Sequence, residues 1–131
     1  MRQIPVGTRG LYTLVLAVEH LASTAHPALP QVMATPMMIL MMEQAAMSAL
    51  TDYMEPGETS VGTLVNVEHL AATPLGHTVR AEAEVVKVEG RRIEFRVAAF
   101  DEQEQIGRGT HGRAIVELGK FNQRLQAKLR P

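Results

Sequence analysis

Three side chains in this 131-residue chain stand where their chemistry is conspicuous. Glu43 is the single charged residue between Pro36 and Leu50, a run otherwise made almost wholly of Met, Ile, Leu and Ala. A carboxylate is rarely buried without a partner or a task. There it would act as general base for water or as nucleophile on a carbonyl carbon, and the pattern leaves both open. The plain alternative is an ion pair with one of the ten arginines. Thr35 brings a hydroxyl directly before Pro36. That pair reads as a helix start whatever the chemistry, with Thr35 as N-cap and Pro36 at the first helical position. His69 shares a strand face with Val65, Val67 and Ala71; it is either a satisfied core histidine or a proton carrier that is neutral near pH 7. Eight helical residues span about 12 Å, so Thr35 and Glu43 cannot touch along one regular helix. Substrate or water bridges them, the chain bends, or a site draws on two subunits.

The elements that must position these residues follow from periodicity and turn chemistry. The helix runs from about Pro36 to Tyr53 and is closed by Pro56-Gly57. It is apolar on every side over two turns, so other elements should surround it, and it is too short in apolar residues for a bilayer, which needs about 20. Strands are read at Gly10–Val18, Val61–Ala72, His77–Val88, Arg92–Phe100 and Gln105–Leu118. In the third, Val79, Ala81, Ala83 and Val85 alternate with Thr78, Arg80, Glu82 and Glu84, which predicts one buried and one wet face. Glu89-Gly90 predicts a tight hairpin. Residues 20–31, with His26-Pro27 and Leu29-Pro30, read as loop. Met1–Arg9 reads as a loosely held arm and Lys120–Pro131 as a short helix or tail. The expectation is one α+β domain over residues 1–131: an antiparallel five-stranded sheet wrapped around one long central helix, the hot-dog layout.

Composition narrows the function classes. An apolar fraction of 46% and a charged fraction of 21% are those of an ordinary globular protein. The net charge of -1 and the lack of a basic stripe interleaved with aromatics argue against nucleic acid, and the basic tail reads as a solvated face. With no cysteine, and with His20, His26 and His77 lacking ligand spacing, no metal and no cofactor are expected. No signal pattern or lipidation motif is readable, so a cytoplasmic location without a membrane partner is expected. Methionine is concentrated in the helix, giving it a soft, adaptable wall.

Several segments together resemble the hot-dog thioesterases similar to fluoroacetyl-CoA thioesterase, over about Val32 to Lys128. They are Ala34-Thr35 with Glu43, Glu55-Pro56-Gly57-Glu58, Gly62-Thr63, and His69 with Ala71-Ala72-Thr73-Pro74. Further on come Val88-Glu89-Gly90-Arg91-Arg92, Ile106-Gly107, Gly109-Thr110-His111 with Arg113, and Lys120-Phe121-Asn122. The resemblance implies an acyl-CoA thioesterase, dimeric, with the acyl pocket at the subunit interface. The sheet faces and the methionine-rich helix make that pocket apolar, which suggests a short or medium acyl group. It implies Thr35, Glu43 and His69 as catalytic residues. Thr35 would orient the acyl group or water, or serve as a covalent nucleophile. His69 would protonate the leaving thiolate or hold the water. Gly62 would lend its N–H to the oxyanion or let CoA pass close; on spacing alone it is equally a strand-entry glycine. Arg113 follows His111 on one strand face, opposite Ala114, Val116 and Leu118. On a regular strand that parity argues for a wet or interface face, while Gly107, Gly109 and Gly112 could bulge the strand and re-aim it. There it is either a cation for the CoA phosphates or acyl carbonyl, or a surface ion pair. The loop Ala28-Leu29-Pro30-Gln31-Val32 lacks the aromatic character of the fluoroacetyl-specific enzyme, so the resemblance carries the hydrolytic residues and not fluoroacetyl selectivity. Hydratases of this fold use an Asp-x4-His pair absent here. A non-catalytic module that binds acyl-CoA or a small ligand in the same fold is the alternative from another class.

Overall fold

A computed structural model describes residues 1–130; Pro131, the last residue of the expected C-terminal helix or tail, lies outside the described residues. The strands are β1 (Arg9–Val15), β2 (Glu58–His69), β3 (Thr78–Glu89), β4 (Arg92–Phe100) and β5 (Gln105–Glu117). The helices are α1 (Ala22–Ala25), α2 (Thr35–Leu50) and α3 (Leu118–Lys128). All strand pairings are antiparallel, in the order β1-β3-β4-β5-β2, so β1 and β2 are the edges. The sheet packs its inner face on α2, the expected hot-dog layout. On β3 the alternation holds as written: Val79, Ala81, Ala83 and Val85 are buried against α2, joined by Ile93, Phe95, Val97 and Ala99 of β4. Among the described residues no helix is long and apolar enough to cross a membrane.

Small residues let the two layers approach. A Cβ added to Gly10 of β1 would run into the Ala45 carbonyl and, at 2.5 Å, into Ser48 Oγ. That hydroxyl accepts from the Leu11 amide at 3.0 Å and donates to the Ala45 carbonyl at 2.8 Å. β1 is thus stitched to the Ala45–Ala49 stretch of α2.

Several expectations need correction. The arm of residues 1–9 is tied down: Ile4 is in the core, the Gly7 amide donates to the Val85 carbonyl, and the Met1 ammonium lies 2.8 Å from Glu58. The first strand, read as far as Val18, ends at Val15; a 3-10 turn at Val18–His20 follows, and the loop read over residues 20–31 contains α1. Thr35 is the first helical residue rather than the cap; Ala34 holds the N-cap position and makes no side-chain cap bond. The Thr35 hydroxyl is therefore not used in capping. Nor is α2 surrounded. It packs chiefly against β1 and β3, which leaves a stripe through Leu40 and Met47 44% and 39% exposed, with half-buried Glu43 between them. Beside it lies edge strand β2, where Leu64 and Val65 are 54% and 45% exposed. Apolar surface at an unpaired strand edge is a template for further pairing.

Candidate active site

The start of α2 and the end of β2 meet at a threonine–histidine pair. Thr35 Oγ1 lies 2.8 Å from His69 Nδ1. The contact is pinned on both sides by backbone bonds. The Met33 and Ala34 amides donate to the carbonyls of Thr73 and His20, and the Leu70 amide donates to Ile106. The Thr73 hydroxyl in turn donates to Asp101 at 2.9 Å. His69 Nε2 is enclosed without a partner among the described residues. A neutral ring with its proton on Nε2 accepts from Thr35 at Nδ1 and keeps an unused N–H donor. Burial pushes the His69 imidazole below its ordinary value, and the Ala71 carbonyl pulls it partly back. An apolar cavity of about 610 Å³ opens beside the pair, lined by Ala22, Leu29, Met33, Thr35, His69 and Leu70 among others.

The sign of that shift makes a prediction. With its titration pulled below the ordinary histidine value, His69 keeps its neutral ring to lower pH than a free imidazole, and a reaction that needs that neutral ring keeps its rate correspondingly further into acid. The acid limb of kcat/KM against pH is expected to have its midpoint below 6.5, and a midpoint at or above 6.5 would exclude neutral His69 as the limiting group.

The second group lies further along α2. Glu43 Oε2 accepts from Arg113 Nη1 at 3.1 Å. Arg113 also donates from Nε to Ser60 Oγ at 2.9 Å and from Nη2 to the Ser60 carbonyl at 3.0 Å. His111 Nε2 stands 3.3 Å from Arg113 Nη1, and His111 Nδ1 stands 2.8 Å from the Leu64 carbonyl. The parity of Arg113 with His111, opposite Ala114 and Val116, is as read, but the face is not. Arg113 is 4% exposed and His111 1% exposed, both on the inner face with Ile115. Desolvation pulls the guanidinium below its ordinary value and Glu43 opposes this; a guanidinium stays charged in proteins regardless. A buried cation demands a partner, and Glu43 supplies it.

Gly62 belongs to this group through a bulge. Strict alternation would put Gly62 and His69, seven residues apart on β2, on opposite faces. The register shifts between Gly62 and Leu64, so Gly62 pairs with Arg113 while Val65 pairs with His111 and His69 with Gly107. One extra residue, Thr63, turns both onto the helix side. A Cβ on Gly62 would stand 2.6 Å from Glu43 Oε2. Gly62→Ala is expected to push the carboxylate off Arg113 and lower kcat by about 10–100-fold with the fold retained, on the scale of a misplacement of about 1 Å. A variant with undiminished kcat would mean that the close approach is incidental.

The structure therefore joins Thr35 with His69, and Glu43 with Gly62 and Arg113, but does not bring the two groups together within one chain. Ser60 and His111 complete the second group without having been singled out as functional. Their signal was parity: Ser60 stands two residues before Gly62 and His111 two before Arg113, each on the same face of its strand. Among the described residues no group of three or more His, Asp or Glu side chains could hold a metal ion.

The fold and the paired sites can be set against known proteins. A solved fluoroacetyl-CoA thioesterase, FlK, superposes with a TM-score of 0.92 at 41% identity, over 98% of this chain and 99% of that one. A thioesterase-superfamily protein of Thermus thermophilus superposes at 0.90 with 30% identity, over 98% of both chains. The fluoroacetyl-CoA thioesterase of Streptantibioticus cattleyicolor is 44% identical over 129 residues, 94% of this chain and 93% of its own length. The model of the FlK family, fluoroacetyl-CoA-specific thioesterase, matches residues 16–118. The chain belongs to this family of thioesterases.

Proposed function

We propose that the protein hydrolyses acyl-CoA thioesters to the free acid and CoA, as a homodimer in which each site draws on both subunits. The observation that carries this reading is the split of the polar residues into two groups on one uncovered face. The Thr35–His69 pair lies at one end of it and Glu43 with Gly62 about 12 Å along α2. Edge strand β2 carries a member of each group, and its exposed Leu64 and Val65 favour pairing with a second copy. A two-fold axis crossing β2 between Val65 and Asn66 would set Gly62 beside His69 of the partner subunit, making two equivalent composite sites.

In such a site the chemistry is complete. Glu43, held by Arg113, takes a proton from water, and the water oxygen bonds to the thioester carbonyl carbon. The Gly62 N–H supports the oxyanion. As the tetrahedral intermediate collapses the C–S bond breaks, and the departing thiolate accepts a hydrogen bond from His69 Nε2–H while the ring stays neutral. The proton that Glu43 took from water passes to that sulfur, which releases CoA as the thiol and returns Glu43 to the carboxylate. Thr35 donates to His69 Nδ1 and fixes the ring. Arg113, buried and bonded to Ser60, Glu43 and His111, serves in this reading by holding the carboxylate beside the substrate carbonyl rather than by reaching for CoA phosphates.

The apolar cavity beside Thr35 suits a short or medium acyl group. The relatives are named for fluoroacetyl-CoA, and whether this chain prefers that substrate is a question for a substrate panel. A cytoplasmic location is proposed on the sequence grounds given above. The direct test follows thiol release from acetyl-, fluoroacetyl-, butyryl-, hexanoyl- and octanoyl-CoA with a thiol-reactive dye. Turnover of one or more is expected, ranked by acyl length. Absence of thiol release from every ester, with the esters still bound, would favour a binding module of the same fold.

A further inference from the structure

His111 is buried, titratable and unused by the mechanism above. Its ring is locked on three sides. Nδ1 donates to the Leu64 carbonyl at 2.8 Å, which leaves Nε2 of the neutral ring as an acceptor, 3.3 Å from Arg113 Nη1. Phe95, its register partner on β4, stacks on it with centroids 6.1 Å apart and planes 27° from parallel. The same Nη1 donates to Glu43 Oε2 at 3.1 Å. A continuous line of hydrogen bonds therefore runs from the backbone of β2, just past the bulge, through His111 and Arg113 to the carboxylate. Gly62, on the other side of that bulge, abuts the same carboxylate oxygen.

We propose that His111 is a positioning residue. By fixing the Nη1 end of Arg113 it sets where Glu43 stands relative to Gly62, and so ties the carboxylate to the edge strand that carries the oxyanion donor. The inference rests on the assignment of Glu43 as the reacting carboxylate. Ser60 holds Nε and Nη2 of Arg113, so without His111 the guanidinium is retained but its rigid plane is free to rock about those two bonds. What is lost is the third restraint, at Nη1, and with it the near-attack placement of Glu43.

The test is a double-mutant cycle. His111→Phe keeps the stacked shape and removes both nitrogens. Its kcat for the best acyl-CoA is expected to fall about 10–100-fold with KM within about twofold, the pattern of a placement felt mainly in the transition state. His111→Gln, whose amide oxygen can accept from Arg113, should recover most of that loss. In a Glu43→Gln background, His111→Phe should have no further effect, because it acts through Glu43. If the phenylalanine variant does not fold, His111→Asn takes its place in the same cycle. It keeps a donor for Leu64 and withdraws the acceptor from Arg113, and the same results are expected. Wild-type kcat in folded His111→Phe, or in His111→Asn where it stands in, overturns the proposal, as does an equal loss with and without Glu43. An active Glu43→Gln single variant would instead overturn the assignment of Glu43, so the two failures are distinguishable.

Discussion

Glu43→Gln is expected to lower thiol release by about 10³-fold, within the roughly 10²–10⁴ range of a positioned acid–base group, with the protein still folded. Glutamine has the length of glutamate, and its amide oxygen can accept from Arg113 Nη1 where Oε2 does now. The guanidinium loses its counter-charge but keeps its hydrogen bonds to Ser60 and to His111. The amide lacks the basicity to take a proton from water and the charge to attack a carbonyl. The loss should therefore fall on kcat, with KM nearly unchanged. Steady-state kinetics beside a thermal melt checks both parts, and a folded variant that keeps more than about a tenth of wild-type kcat would remove Glu43 from the chemistry.

His69→Ala is expected to lower kcat by about 10²–10³-fold. It takes away the acceptor that fixes the Thr35 hydroxyl and the enclosed Nε2 donor. The ring is half-buried and its polar bond is to an exposed threonine, so the effect on stability should be about 1 kcal/mol. Thr35→Ser, which keeps the hydroxyl, should stay far more active than His69→Ala if Thr35 orients the ring. Matched losses in the two would point to a role for the threonine methyl group that the proton chemistry leaves out.

Much of this was legible in the sequence, for identifiable reasons. Strict alternation on β3 and the Glu89-Gly90 turn located the central hairpin, because one wet face and one buried face leave an unmistakable period. Glu43 stood out because a carboxylate in an apolar helix is rare. The misses share a cause: a tertiary contact overrode a local pattern. Thr-Pro reads as a cap, but the Thr35 hydroxyl goes to His69 on a strand 34 residues away. The arm of residues 1–9 lacks a strong pattern of its own, and long-range bonds to Tyr53 and Val85 hold it. Arg113 and His111 look like surface residues until Ser60, Glu43 and the Leu64 carbonyl are known to satisfy them. The bulge at Thr63, which puts Gly62 and His69 on one face, has no signature in composition. The even apolarity of α2 predicted burial on all sides. In a single chain that is only partly met, and a second copy would supply the rest.

The central claim is a hydrolytic site assembled from two subunits, and a mixing experiment tests it most directly. Glu43→Gln and His69→Ala proteins, each nearly inactive, are mixed, partly denatured and refolded together, and thiol release is measured against equal wild type. If Glu43 and His69 of a site come from different subunits, a mixed dimer contains one site with both defects and one with neither. Half the dimers are then mixed and half their sites intact, so about a quarter of wild-type activity should return. Activity no higher than the mean of the two parent variants, with mixed dimers demonstrated in the sample, would place both residues of each site in a single chain and contradict the account.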